Sequence, residues 1–281
     1  MNTPARLRRE RLLTFAAMLC LAGLVRASIA LAAQGPKLDQ ELEMGEKIFD
    51  EMRASGEIVK SSPLYDRLEP IANAISRAAQ PRYDHPFKIY LIHEDLPEAY
   101  AAPGGNVYVV DSLLYFVENA DELAGVLCHE VSHTIHRDTL AKMQEQQKIE
   151  DRETRAGQLL GTGRAQRLGI PLIGMLHSLG YSRYTEARAD LTGSDICATA
   201  GYNPWGLVWL FQDLQDFDLE QLPQLLSDHP ALQHRVSMLK LHFLANPSVF
   251  GKFSSDPKNR QAVDCSENGL GEVLAVTPPL F

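Results

Sequence analysis

The 281-residue chain has little cysteine, a shortage of basic charge and no apolar run long enough to cross a bilayer. Twenty-seven lysines and arginines face 36 aspartates and glutamates, a net charge of −9. That balance argues against nucleic acid or an anionic membrane surface as a partner. The longest apolar stretch, residues 12–25, has 14 residues, short of the roughly 20 that a spanning helix needs. No segment repeats at a fixed period, which removes solenoid architectures. What remains, 45% hydrophobic and 22% charged residues, is ordinary globular composition.

The apolar stretch reads instead as the centre of a leader. Arg6, Arg8, Arg9 and Arg11 precede it, and Ala30-Leu31-Ala32 follows with the small-x-small pattern of a signal-peptidase site. Residues 1–33 are therefore expected to be a cleaved signal peptide, with a retained N-terminal anchor as the alternative. Without them the chain would carry 22 basic and 35 acidic side chains, about −13. Cys128, Cys197 and Cys265 would remain; an odd count leaves one thiol over if a pair bridges, and sequence does not choose the pair. The expected location is periplasmic or secreted, with peripheral membrane association left open.

Residues 38–52 and 63–79 space their apolar side chains at helical intervals. Pro81 and Pro86 end that regime, and residues 87–93 and 106–110 read as strands separated by a Pro103-Gly104-Gly105 turn. Asn119-Ala120-Asp121-Glu122 has the cap-x-x-Glu form that starts a helix, here running to about Ile135. A polar surface helix and loop are expected over 138–167 and a core helix over 168–179. A helix over 184–200, stopped by Gly201, is followed by others over 204–216 and 230–244. The reading is a globular domain over 34–253 and a loosely held tail over 254–281.

Inside the helix that Asn119 caps lies His129-Glu130-Val131-Ser132-His133. Imidazoles at i and i+4 stack on one helical face and can share a metal ion. Glu130, about 100° round the helix, sits beside that ion, placed to take a proton from a water the metal activates. Zinc asks for a third protein ligand and an open position. The extended H-E-x-x-H-x-x-G-x-x-H form is absent, because His136 and Thr139 stand where its Gly and last His belong. The candidate third ligand is Glu186, 53 residues after His133. Asp190 is one turn further on the same face, a candidate to orient a ligand histidine by hydrogen bond. The bland alternative is a solvated acidic face balanced by Arg183 and Arg188. His136 lies ~10 Å along the axis from His129 and is expected to miss the metal; His85 and His93 receive no role.

The stretches HEVSHTIHRD and YSRYTEARAD together resemble the M48 family of zinc peptidases. Residues 98–109, EAYAAPGGNVYV, and Asp228-His229-Pro230 with Arg235 are similar to two further segments of that family. Asp138 and Tyr100 depart from the family's usual residues and are expected not to touch the ligands. The resemblance is to short, periplasmic, single-domain members without tetratricopeptide repeats. It implies a predominantly helical α+β, zincin-like (gluzincin) fold, with a small, mostly antiparallel sheet beside the metal helix. It also implies one Zn²⁺ per subunit held by His129, His133 and Glu186, and endopeptidase action on unfolded or misassembled envelope proteins with Glu130 as general base. His229, Tyr184 and Arg235 are candidate donors to the tetrahedral oxygen, His229 alternatively a fourth ligand that holds the enzyme latent. An exposed sheet edge with Ala101, Asn106 and Tyr108 would bind extended substrate backbone. The competing reading is a chaperone-like assembly factor that retains the metal site and acts by binding.

Overall fold

A computed structural model describes residues 39–159, 171–216 and 232–259. The expected leader, the tail beyond residue 259, Cys265 and His229 lie outside the described residues. The described part from Glu41 onward belongs to one compact unit. No helix among the described residues is long and apolar enough to cross a membrane.

Two amphipathic helices open the domain where their periodicity places them. α1, Gln40–Ser55, buries Ile48 and Met52, and α2, Leu64–Ala79, buries Leu68, Ile71 and Ile75. Three strands follow: β1, Lys88–Ile92; β2, Ala99–Ala101; and β3, Asn106–Val110. The sheet order is β1-β3-β2, with β3 parallel to β1 and antiparallel to β2. The sheet is thus mixed rather than mostly antiparallel. Pro103-Gly104-Gly105 turns the chain back so that β3 enters between β2 and β1. The turn needs glycine: Gly104 and Gly105 have φ of 78° and 86°, and a Cβ on Gly105 would stand 2.3 Å from the Pro86 carbonyl oxygen. Both faces of β3 are covered. Val107 and Val109 join the main core, while Tyr108 and Val110 pack with Ile48, Met52 and Tyr100 on the other side.

After the short α3, Asp111–Phe116, comes α4, Ala120–Ile135. Its cap is the expected one. The Asn119 side chain accepts from the Glu122 backbone N–H at 3.0 Å, and Glu122 accepts from Asn119 Nδ2 at 2.6 Å and from the Glu118 N–H at 2.7 Å. Such a cap stabilises a helix by about 1 kcal/mol. α5, Asp138–Leu159, begins after a turn at Arg137, whose φ is 55°. The helix expected over 168–179 is described only as α6, Leu172–Leu176, entered through Pro171. α7, Arg183–Ala200, runs from a Ser182 cap to the left-handed Gly201. α8, Trp205–Asp216; α9, Leu232–Ala245; and α10, Pro247–Phe250 complete the described helices.

The packing that matters for the site is α4 against α7. A Cβ on Gly193 would lie 2.9 Å from the Cys128 carbonyl oxygen and 3.1 Å from the His129 nitrogen. The missing side chain therefore lets the two backbones approach closely at His129. Glu186 and Asp190, earlier on α7, are thereby brought to the face of α4 that carries both histidines.

Candidate metal centre

His129, His133, Glu186 and Asp190 are all at most 4% exposed, so none belongs to a solvated acidic face. His129 Nε2 and His133 Nε2 are 3.1 Å apart. Glu186 Oε2 is 3.5 Å from the first and Oε1 is 3.4 Å from the second. One donor atom from each of the three residues falls within a 4.8 Å group. A small dication held tetrahedrally at 2.0–2.2 Å separates its ligands by about 3.3–3.6 Å. The donor spacing fits such an ion.

Each imidazole is oriented from behind. Asp190 Oδ1 is 2.9 Å from His129 Nδ1, the contact expected of Asp190. Asp138 Oδ2 is 3.0 Å from His133 Nδ1, which corrects the expectation that Asp138 stays clear of the ligands. The turn at Arg137 brings the start of α5 back beneath His133, and Arg188 holds the other Asp138 oxygen. Tyr181 stacks on His133 at 4.3 Å between ring centroids, and its hydroxyl lies 2.8 Å from Thr139 Oγ1. Burial pushes the Tyr181 hydroxyl's pKa up.

Arg235 sits among the carboxylates. It donates from Nη1 to Glu186 Oε2 at 2.9 Å, and from Nη2 and Nε to Asp190 at 2.6 and 2.8 Å. Its guanidinium also lies over the Phe211 ring at 4.3 Å. A fork spent this way anchors the two acids. Burial and the charge of Arg235 push the His129 pKa down, but Asp190 and Glu186 outweigh them and raise it to about 9. Burial likewise lowers that of His133, and Asp138 and Glu186 reverse the sign. Burial would raise the Asp190 pKa, yet Arg235 holds it below the usual carboxylate value. The pocket is built to hold positive charge.

Glu130 is 3% exposed, and its Oε2 accepts the Ala101 N–H at 2.9 Å. It lies between two hollows. One is mostly apolar, lined by Leu113, Phe116, Val126, Leu210 and Phe211 together with His129 and Arg235. The other lies over β2 and is lined by Ala101, Leu176, Leu179 and Tyr181.

Of the other candidates, Ala101 lines the second hollow. The β2 edge is not exposed: Glu130 takes the Ala101 N–H and Thr139 donates to its carbonyl at 2.8 Å, because buried backbone groups must find partners. Asn106 donates to the Gly45 carbonyl at 3.1 Å, and Tyr108 is buried against Tyr90, so neither lines the two hollows. Tyr184 is 75% exposed on the outside of α7. His136 meets Thr192 at 2.9 Å, apart from the ligand trio. His229 lies outside the described residues.

The description "Peptidase family M48" matches residues 64–242. A β-barrel assembly-enhancing protease of Yersinia pestis is 29% identical over 210 residues, covering 71% of this chain and 43% of that protein. The protein of the same name from Escherichia coli K12 is 24% identical over 218 residues with the same coverage. The mitochondrial metalloendopeptidase OMA1 of Saccharomyces cerevisiae is 27% identical over 196 residues, 62% of this chain and 54% of its own length. The chain thus spans under half the length of the first two relatives.

Proposed function

The chain belongs to peptidase family M48, and from that footing we propose that it is a zinc-dependent endopeptidase acting on misfolded or misassembled envelope proteins. The observation that carries the reading is the convergence of three buried donors, His129, His133 and Glu186, beside the Glu130 carboxylate. His₂Glu is a recurrent catalytic zinc set that keeps a coordination position open. Zinc held there supplies a Lewis acid that brings the pKa of water toward neutrality and polarises a carbonyl.

The chain's own residues do the rest. Asp190 and Asp138 fix the ring orientation of His129 and His133 and favour Nε2 as the ligand atom. The Ala101 N–H orients Glu130, which takes the proton of the attacking water and hands it to the leaving amine. The apolar hollow beside Glu130 receives an apolar side chain next to the scissile bond, the kind an unfolded protein exposes. Two relatives named for β-barrel assembly support an envelope substrate, and the leader expected over residues 1–33 supports a periplasmic location.

The test is cleavage of casein by the purified protein, before and after zinc is stripped with a chelator. Fragments should appear with metal, vanish without it and return on adding zinc. Casein bound but left intact by the zinc-loaded protein would favour the assembly-factor reading instead. The orienting carboxylates give a finer prediction. Asp138→Asn and Asp190→Asn should each weaken zinc binding by about 10–100-fold, measured by competition with a chromophoric chelator.

A further inference from the structure

Around Tyr100 of β2 gathers another His/Glu group, which shares no residue with this centre. Glu57, Glu94 and His177 each offer one ligand atom, all within 4.8 Å of one another. Among the described residues, the buried atoms Glu57 Oε2, Glu94 Oε1 and His177 Nε2 have no hydrogen-bond partner. Buried polar atoms are nearly always partnered, so one such atom on each of three clustered residues needs an explanation. His177 Nε2 and Glu94 Oε1 are 3.4 Å apart. Charge-assisted hydrogen bonds close to about 2.7–2.9 Å, whereas two ligands of one small dication stand about 3.3–3.6 Å apart. The His–Glu separations at the main centre, 3.4 and 3.5 Å, are the same.

The scaffold holds each donor in place. After α1 the Glu57 N–H donates to the Met52 carbonyl at 3.1 Å, and the Glu57 carbonyl accepts from the His93 N–H at 2.9 Å. That fixes Glu57 at the end of β1, beside Glu94. Tyr100 does two things: its hydroxyl donates to Glu94 Oε2 at 3.0 Å, leaving Oε1 turned toward the group, and its ring stacks on His177 at 4.7 Å. His177 follows α6, whose first turn is tied to α1 by the Ile173 N–H donating to Glu51 Oε2 at 3.1 Å. Among the described residues no lysine or arginine pairs with either carboxylate of the group. Among the described residues His177 is the one group of possible positive charge paired with these carboxylates.

We propose that Glu57, Glu94 and His177 bind a second divalent transition-metal ion that fastens α6 to the sheet. One imidazole with two carboxylates favours zinc or a first-row neighbour over calcium or magnesium, which prefer all-oxygen sites. His177 and Glu94 keep 24% side-chain exposure, so the ion has a way in and water can complete its coordination. The site is structural in its consequence. Leu176, Leu179 and Tyr181 wall the hollow over β2, and Tyr181 packs on His133, so an ion at His177 steadies that wall without touching the donors at the main centre.

The test counts metal and does not depend on peptidase activity. The full chain is loaded with zinc, cleared of loosely bound ion and analysed by mass spectrometry of the element. About two equivalents per chain are expected. Glu94→Gln and His177→Gln, which keep side-chain size, should each lower the count to about one. A His129→Ala/His133→Ala variant should retain about one equivalent and show a rise in Tm on zinc addition that the further change His177→Gln removes. One equivalent in the parent that disappears with His129 and His133 overturns the proposal. So does an unchanged count in Glu94→Gln, whether or not the double-histidine variant folds. One equivalent that disappears with Glu94 instead would sink the main centre and leave the proposal standing.

Discussion

Glu130→Gln protein should fold, hold zinc as the parent does and cleave casein about 10²–10⁴ times more slowly. The substitution keeps the volume of the side chain and one carbonyl-type oxygen. That oxygen can still accept the Ala101 N–H that Glu130 Oε2 accepts at 2.9 Å, so β2 and α4 stay joined. Neither nitrogen nor oxygen of the amide accepts a proton near neutral pH. The loss should therefore fall on kcat, with KM little changed, because the group acts in the transition state and not in holding the peptide. A rate within about twofold of the parent would mean that another group moves the proton. Zinc content lost together with activity would mean that Glu130 works as a ligand.

Arg235→Ala should destabilise the metal-free protein by about 3–5 kcal/mol. Arg235 is 2% exposed and provides the guanidinium bonded to both Glu186 and Asp190. Removing it leaves two buried carboxylates facing each other without that charge. A dication at Glu186 supplies part of it back, so the deficit should be smaller in the zinc-loaded protein than in the stripped one. Urea unfolding of both forms measures the difference. Arg235→Lys should not restore the parent value, because a single ammonium cannot reach Glu186 from one nitrogen and Asp190 from two others as the fork does. Equal losses in the stripped and loaded forms would show that Arg235 acts by packing on Phe211 and not by charge.

Those two residues also mark where sequence reasoning succeeds and where it stops. His129, Glu130 and His133 are legible because their relation is local: one helix, one turn, a cap at Asn119 that fixes the helix start. Glu186 and Asp190 are legible as a pair on one face of α7, and their nearness to the histidines follows once Gly193 lets α7 lie against α4. Asp138 is not legible this way. It lies five residues past His133 and beyond the end of α4, and it reaches His133 because Arg137 takes a left-handed conformation. That conformation is stabilised by partners distant in sequence, Glu41 and Asp84, and no local pattern announces it. Arg235 is readable only through the family resemblance, as one of three candidate donors to the tetrahedral oxygen, and its pairing with Glu186 and Asp190 is a matter of geometry alone. β2 escapes strand patterning because Ala-Tyr-Ala is short and not β-branched, and with it goes the mixed order of the sheet.

The central claim concerns one point in space, and anomalous X-ray scattering from crystals of the zinc-loaded protein, collected on both sides of the zinc absorption edge, addresses it directly. The account predicts a peak about 2.0–2.2 Å from His129 Nε2, His133 Nε2 and a Glu186 oxygen, with an open side toward Glu130. Fully loaded crystals with no anomalous peak between those three residues would contradict it.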